Sequence, residues 1–216
     1  MFLTQFLTVV VVHLLAVMSP GPDFAMVTRN SLVYSRRSGV YTSIGLACGI
    51  GVHVTYCLLG IGILISQSIL LFNIIKLCGA AYLLYIGWKS IRAKPQVAPD
   101  DLSGTLKDGS SNTSKDLSRM QSVKIGFLTN VLNPKATLFM LALFTQVINP
   151  ATPKSWEAAY GTEMMAMTFI WFSLVSVFFS HRHIRIRVAK FQHYIERATG
   201  AVLILLGIKV ALATQK

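Results

Sequence analysis

The stretch LTQFLTVVVVHLLAVMSPGPDFAMV, residues 3–27, is apolar enough to enter a bilayer, yet it contains two prolines and a glycine. Asp23 is its only charged residue. Proline lacks a backbone N–H and clashes with the preceding turn, so Ser19-Pro20-Gly21-Pro22-Asp23 predicts a break in a membrane helix. Backbone groups freed by a break are tolerated in hydrocarbon only where protein or a wet cavity satisfies them. The motif therefore predicts a polar site inside the membrane.

A second proline motif, Asn133-Pro134-Lys135, lies in the corresponding place of the chain's other half. Ser and Asn are good N-cap residues and Pro is favoured at the first helical position, so Ser19-Pro20 and Asn133-Pro134 can each start a new half-helix. The start of a helix carries unpaired N–H groups and a positive dipole end, which suit a carboxylate. Paired interruptions of this kind indicate the binding site of a transporter.

The composition is that of an integral membrane protein. Of 216 residues, 53% are hydrophobic and 13% are charged, and the mean hydropathy is +0.58; a soluble domain carries about 25% charged residues. The net charge of +12 could suit a nucleic-acid partner. However, the basic residues concentrate between apolar spans, as the positive-inside rule describes for cytoplasmic loops, so we expect no nucleic-acid binding.

The pattern predicts an all-α polytopic membrane protein with six transmembrane helices, the first and fourth broken by proline. A span needs about 20 apolar residues. The predicted spans are Leu3–Val27, Val40–Ile65, Ile69–Gly87, Val123–Ile148, Ala158–Phe179 and Ala198–Ala213. The first span is expected to be retained rather than cleaved as a signal peptide, because no positive region precedes it. Gly45 and Gly49 in the second span have GxxxG spacing, which favours close helix packing or, alternatively, a sliding surface.

The chain divides into two three-helix repeats of opposite orientation. Residues 1–91 form the first repeat and residues 122–216 the second. Residues 92–121 between them are rich in Ser, Asp, Lys and Gly, a composition that predicts a flexible cytoplasmic linker. With the basic loops inside, both termini face outward, and the basic run at 181–187 anchors the chain against anionic lipid headgroups. An odd number of spans per half inverts the second repeat.

The two breaks supply the candidate site residues. Charges inside a membrane cost about 2.5–3.5 kcal/mol each on insertion scales and usually mark substrate or ion paths. Asp23 could bind a substrate ammonium, pair with Lys135 or carry a proton. Lys135 lies at a helix start, where a cation is disfavoured, so we expect an anion beside it, either Asp23 or a substrate carboxylate. A structural ion pair between the repeats is the alternative. The predicted substrate-binding residues are Ser19, Pro20, Gly21, Pro22, Asp23, Asn133, Pro134 and Lys135.

Other polar residues in the spans have simpler interpretations. His53 and Asp23 are the candidate proton-coupling residues, although a hydrogen-bonded packing role is the alternative for His53. Glu163 and Lys76 lie near the outer ends of their spans, where their side chains are expected to snorkel to the interface. Four aromatic residues could line a cavity or pack against neighbouring helices, namely Tyr56, Tyr82, Tyr85 and Trp171.

No enzyme signature is present. The sequence lacks HExxH, GxSxG and a phosphate-binding loop, so it offers no catalytic set and no means of using ATP. Cys48, Cys57 and Cys78 have no metal-ligand spacing. We therefore expect neither a metal nor another cofactor.

Taken together, these motifs resemble the lysine exporter and homoserine/threonine resistance (LysE/RhtB) family. The resemblance rests on the two proline motifs, the glycine-rich second span and the stretch Gly79–Gly87. Near the amino terminus, Phe6-Leu7-Thr8, Val12-His13 and Ser19–Phe24 are most similar to the threonine-efflux branch. The resemblance implies a bacterial inner-membrane exporter of amino acids, driven by the proton-motive force.

The combined prediction is a secondary transporter that exports a small amino acid such as threonine or homoserine in exchange for protons. A passive channel for amino acids or small solutes is the alternative, and an intramembrane enzyme and a membrane scaffold are further ones. Its partners would be the amino acid, protons and lipid, and dimerisation through the glycine-rich span is conceivable.

Overall fold

The computed structural model describes residues 2–67, 69–92, 116–147, 152–178 and 182–212, and within these ranges all regular structure is helical. Most of the predicted linker and parts of other connections lie outside the described residues. The described helices are α1 (Phe2–Met18), α2 (Pro22–Val33), α3 (Arg36–Gln67), α4 (Ile69–Ile91), α5 (Arg119–Val131), α6 (Pro134–Val147), α7 (Lys154–Phe178) and α8 (Arg182–Leu212).

Both proline motifs break the chain as predicted. Helices α1 and α2 meet at a bend of 55°, and α5 and α6 meet at a bend of 58°. The first pair continues past the predicted span end to Val33. Helix α5 begins at a capping box, in which Ser118 and Gln121 bond to each other's backbone N–H groups. The second half of the chain thus starts with a helix whose first turn is well satisfied.

Three described helices are long and apolar enough to cross a membrane, and the number rises to five if each bent pair is one span. The three are residues 36–60 of α3, residues 73–91 of α4 and the whole of α7. Helix α8, which contains the described part of the predicted sixth span, is not among them. The chain is therefore an all-helical, multi-pass membrane protein, while the arrangement as six spans in two inverted repeats stays a prediction.

Packing occurs mainly between the two halves of the chain rather than within each half. Helix α3 packs most extensively on α5, and α4 packs most extensively on α8. Glycines make these crossings possible. A Cβ on Gly45 would collide with the backbone of Val123, and one on Gly126 would collide with the backbone of Thr42. The packing role predicted for Gly45 is thereby confirmed, because lipid-embedded helices associate through close backbone approach.

The largest apolar cluster lies between α1, α3, α4, α6, α7 and α8. It combines Val9 and Val12 with the fully buried Met140, Leu143 and Tyr160. At the start of α1, Phe2 and Phe6 lie 6.1 and 6.0 Å from the ring of Trp156 on α7. This cluster fixes the direction in which α1 enters the molecule and so positions the break that follows it.

Candidate functional site

The two breaks meet, and Lys135 of the second inserts into the first. Its Nζ donates to Ser19 Oγ at 2.9 Å and to the carbonyl oxygens of Ser19 and Pro20, each at 3.3 Å. Gly21 lies directly beside this side chain, since a Cβ there would be in ordinary contact, 3.6 Å from Lys135 Nζ and Cδ. The first-turn cation of α6 is therefore held by the backbone of the other broken span.

Asp23 makes the reciprocal connection from the first break to the second. Its carboxylate accepts a hydrogen bond from Asn130 Nδ2 at 2.8 Å and one from Asn133 Nδ2 at 3.2 Å. Asp23 lies in the first turn of α2, where the helix dipole favours a negative charge. Each half-helix start thus carries a charge that is bound by the opposite break.

Asp23 and Lys135 do not form a direct ion pair. Within the described ranges, the ion pairs closer than 4.0 Å are His13–Glu163 and Lys154–Glu157. Of the two anions expected beside Lys135, Asp23 is not in direct contact with it, a substrate carboxylate stays a prediction, and carbonyl oxygens just beyond the carboxyl end of α1 bind its Nζ. That end of a helix carries a partial negative charge, which offsets the unfavourable position of the cation at the start of α6.

The capping prediction is right for one break and wrong for the other. Asn133 Oδ1 accepts from the backbone N–H of Lys135 at 3.0 Å, as expected of an N-cap residue before Pro134. The N-cap of α2 is instead Gly21, followed by Pro22 at the first helical position. Ser19 still belongs to the end of α1, because its N–H donates to Leu15 O at 3.1 Å. Its hydroxyl is therefore available to Lys135.

His53 lies beside this network but does not touch Asp23. Its Nε2 is 3.1 Å from the carbonyl oxygen of Asn130 and its Nδ1 is 2.7 Å from the hydroxyl of Tyr56. Since a carbonyl oxygen only accepts, Nε2 carries the hydrogen, and Nδ1 is the acceptor in the neutral ring. Asn130 links His53 to Asp23, because its carbonyl oxygen lies against His53 Nε2 and its Nδ2 donates to the Asp23 carboxylate.

Two cavities adjoin the breaks, and Ser19, Gly21, Asn133 and Lys135 line both of them. The larger cavity, of about 740 Å³, extends along α4 and α8 toward Arg92 at the end of α4. The smaller one, of about 50 Å³, lies on the other side and is bounded by His13. The eight predicted site residues therefore surround accessible space, with Pro20, Pro22 and Pro134 on the side of the larger cavity and Asp23 on the side of the smaller one.

Several residues that line these cavities were not among the predicted site residues. Glu196 of α8 faces the larger cavity, and Tyr82 and Tyr85 line it as the sequence allowed, whereas Tyr56 and Trp171 line neither cavity. Asn130 was missed altogether, although an asparagine one helical turn before Asn133 was a readable signal. Among the described residues no group of three or more His, Cys, Asp or Glu could hold a metal ion.

The snorkelling prediction for Glu163 and Lys76 is wrong. Lys76 is buried. The carboxylate of Glu163 is buried too, and its Oε1 lies 3.8 Å from Nδ1 of His13. Both side chains are enclosed by the rest of the protein instead of reaching its surface.

Comparison with known proteins places this arrangement in a family. An uncharacterized membrane protein of Bacillus subtilis (strain 168), YrhP, is 32% identical over 200 residues, which cover 91% of this chain and 93% of that protein. The threonine efflux protein of Escherichia coli (strain K12) is 29% identical over 217 residues, covering 98% and 99%. The threonine efflux protein of Salmonella typhi is 27% identical over 215 residues, covering 98% and 99%. No solved structure matches the chain.

The family model described as LysE type translocator matches residues 14–214. This range includes both breaks and all the described helices apart from the first part of α1. This match confirms the resemblance indicated by the proline motifs and the prediction that the protein is not an enzyme. The chain belongs to the LysE type translocators.

Proposed function

We propose that this protein is a secondary active transporter that exports a small neutral amino acid, of the threonine or homoserine type, in exchange for protons. Two relatives that align with nearly the whole chain are named threonine efflux proteins. The observation that carries the proposal is the reciprocal bonding of Asp23 and Lys135 across the two breaks. Such meeting points of broken helices are where transporters hold substrates.

The site offers complementary groups for both ends of an amino acid. Lys135 and the start of α6 present positive charge for the substrate carboxylate, and Asp23 presents negative charge for the ammonium group. The hydrogen bonds that now join Lys135 to Ser19 and Asp23 to Asn133 are the ones that a substrate would exchange for its own. Ligand pockets commonly measure about 300–1,000 Å³, and the larger cavity, at about 740 Å³, is of that size.

The direction of export follows from the charge distribution. The larger cavity reaches the end of α4, where Lys89 and Arg92 lie. Basic residues mark the cytoplasmic side of a membrane protein, so this cavity would admit substrate from the cytoplasm. Movement of one three-helix repeat against the other would then close it and open the outer side. The bacterial inner membrane is the location that we propose for this exporter.

Substitution of Asp23 tests the proposal. In proteoliposomes that hold a pH gradient, wild-type protein is expected to transport L-threonine or L-homoserine against its concentration gradient, and an uncoupler should stop it. Asp23→Asn should lower transport at least tenfold, because a hydrogen bond to a charged group contributes about 1.5–3 kcal/mol. Glu157→Gln is the control, since Glu157 pairs with Lys154 at 2.8 Å, remote from both cavities.

The same measurement separates the alternatives. A passive channel would release amino acid only down its gradient and would not respond to the uncoupler. A scaffold would tolerate Asp23→Asn and Lys135→Met without effect. Unchanged transport by Asp23→Asn in correctly inserted protein would reject the proposed substrate site.

A further inference from the structure

His13 and Glu163 form a second buried ionisable cluster, separate from the residues that join the breaks. His13 on α1 is 1% exposed and the side chain of Glu163 on α7 is 10% exposed. The distance from His13 Nδ1 to Glu163 Oε1 is 3.8 Å. Within the described part of the chain, neither oxygen of Glu163 nor Nδ1 of His13 has a hydrogen-bond partner.

A buried pair without further hydrogen bonds is not expected to stabilise the folded protein. Buried charges are normally paired and hydrogen-bonded, and an incompletely bonded carboxylate in an apolar interior is strongly disfavoured. Replacing a buried ion pair with apolar side chains of similar size is often neutral or stabilising. An ionisable group inside a membrane is therefore a candidate functional group, here with its partner at hand.

Side chains of α6 and α7 surround the His13 ring. The ring of Phe139 on α6 stacks near that of His13 with centroids 6.5 Å apart, and Thr168 Oγ1 lies 3.5 Å from His13 Nε2. On α7, Tyr160 lies one turn before Glu163, and its hydroxyl is buried without a partner in the described residues. Helix α8 presents Thr199, which donates to Leu15 O at 3.2 Å.

A path joins this pair to the proposed substrate site. His13 lines the smaller cavity together with Asp23 of α2 and Lys135 of α6. The cavity volume of about 50 Å³ exceeds the space that one water needs, which is roughly 10–15 Å³ by the same measure. Water in this cavity would connect the imidazole to the charged residues at the breaks.

The two proton-binding candidates from the sequence, His53 and Asp23, already take part in hydrogen bonds. Both ring nitrogens of His53 have partners, and both oxygens of Asp23 accept side-chain amides. A proton arriving at His53 Nδ1 would reverse its hydrogen bond with the Tyr56 hydroxyl, and one arriving at Asp23 would remove the charge that two side-chain amides now bind. At Glu163 and His13 Nδ1 it would bind where no hydrogen bond is lost.

We propose that His13 and Glu163 are the proton-binding pair of the transporter. The inference rests on the proposed exchange of amino acid for protons. A proton from the outer side bonds to a carboxylate oxygen of Glu163 or to Nδ1 of His13, moves between them, and leaves through the smaller cavity and the breaks to the cytoplasm. The substrate stays with Asp23 and Lys135, so the two ligands have separate sites.

The test uses proteoliposomes and L-threonine as the probe. It separates threonine transport driven by a pH gradient, here called proton drive, from threonine exchange without a gradient. Glu163→Gln should lower threonine transport driven by a pH gradient, and the proton flux reported by an internal pH dye, at least tenfold. Exchange of labelled for unlabelled threonine without a gradient needs no net proton movement and should stay within about twofold of wild type. Asp23→Asn should lose both activities, and the matched control Glu157→Gln should lose neither.

Two further variants keep the inference testable if Glu163→Gln fails to insert. Glu163→Asp should keep proton drive with a shifted pH profile, and His13→Asn should lose the drive while exchange continues. Normal proton drive in Glu163→Gln or in His13→Asn would overturn this inference and leave the proposed function standing. Loss of exchange together with drive, as in Asp23→Asn, would also overturn it. A wild-type protein that transports threonine without moving protons would overturn proton antiport itself.

Discussion

The Asp116 carboxylate joins the two halves of the chain at the end of the molecule where α3 and α5 begin. It accepts from Ser38 Oγ at 2.6 Å and from Ser35 Oγ at 2.7 Å. These hydrogen bonds, from Ser38 and then Ser35, lower the pKa of Asp116 below its ordinary value of 3.8. A carboxylate whose pKa is lowered in the folded state stabilises that state above its ordinary pKa, and the effect disappears as the pH falls through the folded-state pKa.

We expect Asp116→Asn to lower the thermal midpoint of the purified protein at pH 7 by about 1–2 °C. The difference from wild type should hold constant down to about pH 5 and vanish below the folded-state pKa, where both proteins carry an uncharged group. Thermal scans of both proteins between pH 3 and pH 7 measure this. A difference that does not shrink as the pH falls below the ordinary pKa of 3.8 would contradict the assignment, and Ser38→Ala added to Asp116→Asn should have little further effect.

The contacts of individual side chains could be predicted from sequence only where they are local. Asn133 caps α6 through an atom two residues away, and its type and position before a proline were sufficient to predict it. The partners of Lys135 and Glu163 depend on how separate helices are rotated toward each other. No local rule fixes that rotation, so the sequence did not reveal that Ser19 and the carbonyl oxygens of the first break bind Lys135, and the predicted snorkelling of Glu163 was wrong.

Helix crossings depend on glycines in a way that one pair of substitutions can measure. Gly45→Ala places a methyl group against the backbone of Val123, which must shift, whereas a Cβ on Gly60 of the same helix meets no atom within 4 Å. Overpacking costs about 1–3 kcal/mol, which corresponds to roughly 2–10 °C for a chain of this size. Gly45→Ala should therefore lower the thermal midpoint by that amount, and Gly60→Ala should leave it equal or slightly higher. Equal midpoints for the two variants would contradict this account of the α3–α5 crossing.

The broken helices were predictable because proline acts on its own turn. Removal of the backbone N–H at Pro20, Pro22 and Pro134 required an interruption whatever the surroundings. The similar bends of 55° and 58° were not predictable, because the bend is set by the helices packed on either side. Nor did composition reveal that α2 would run on to Val33, since its polar residues face other helices: Asn30 bonds Thr42, and Ser31 bonds Ser176.

The two ends of the molecule differ in chemistry. At one end Arg37 and Arg119 both lie over the ring of Tyr41, at 5.8 and 5.7 Å. At the other end the rings of Phe2 and Trp156 stack near the Lys154–Glu157 pair. Basic side chains favour the cytoplasmic face and aromatic rings favour the membrane interface. The larger cavity runs from the breaks toward the basic end, where it is lined by Lys89 and Arg92.

This asymmetry predicts the sidedness of labelling by a membrane-impermeant maleimide. In a protein whose three cysteines, Cys48, Cys57 and Cys78, are replaced, Ser155→Cys should react in intact cells. Lys89→Cys should react only in inside-out vesicles, because Lys89 lies at the basic end and faces the larger cavity. L-threonine in the medium should slow the labelling of Lys89→Cys, since a bound substrate would occupy the cavity, and should leave that of Ser155→Cys unchanged. Reaction of Lys89→Cys in intact cells would reverse the orientation, and the larger cavity would then receive solute from outside.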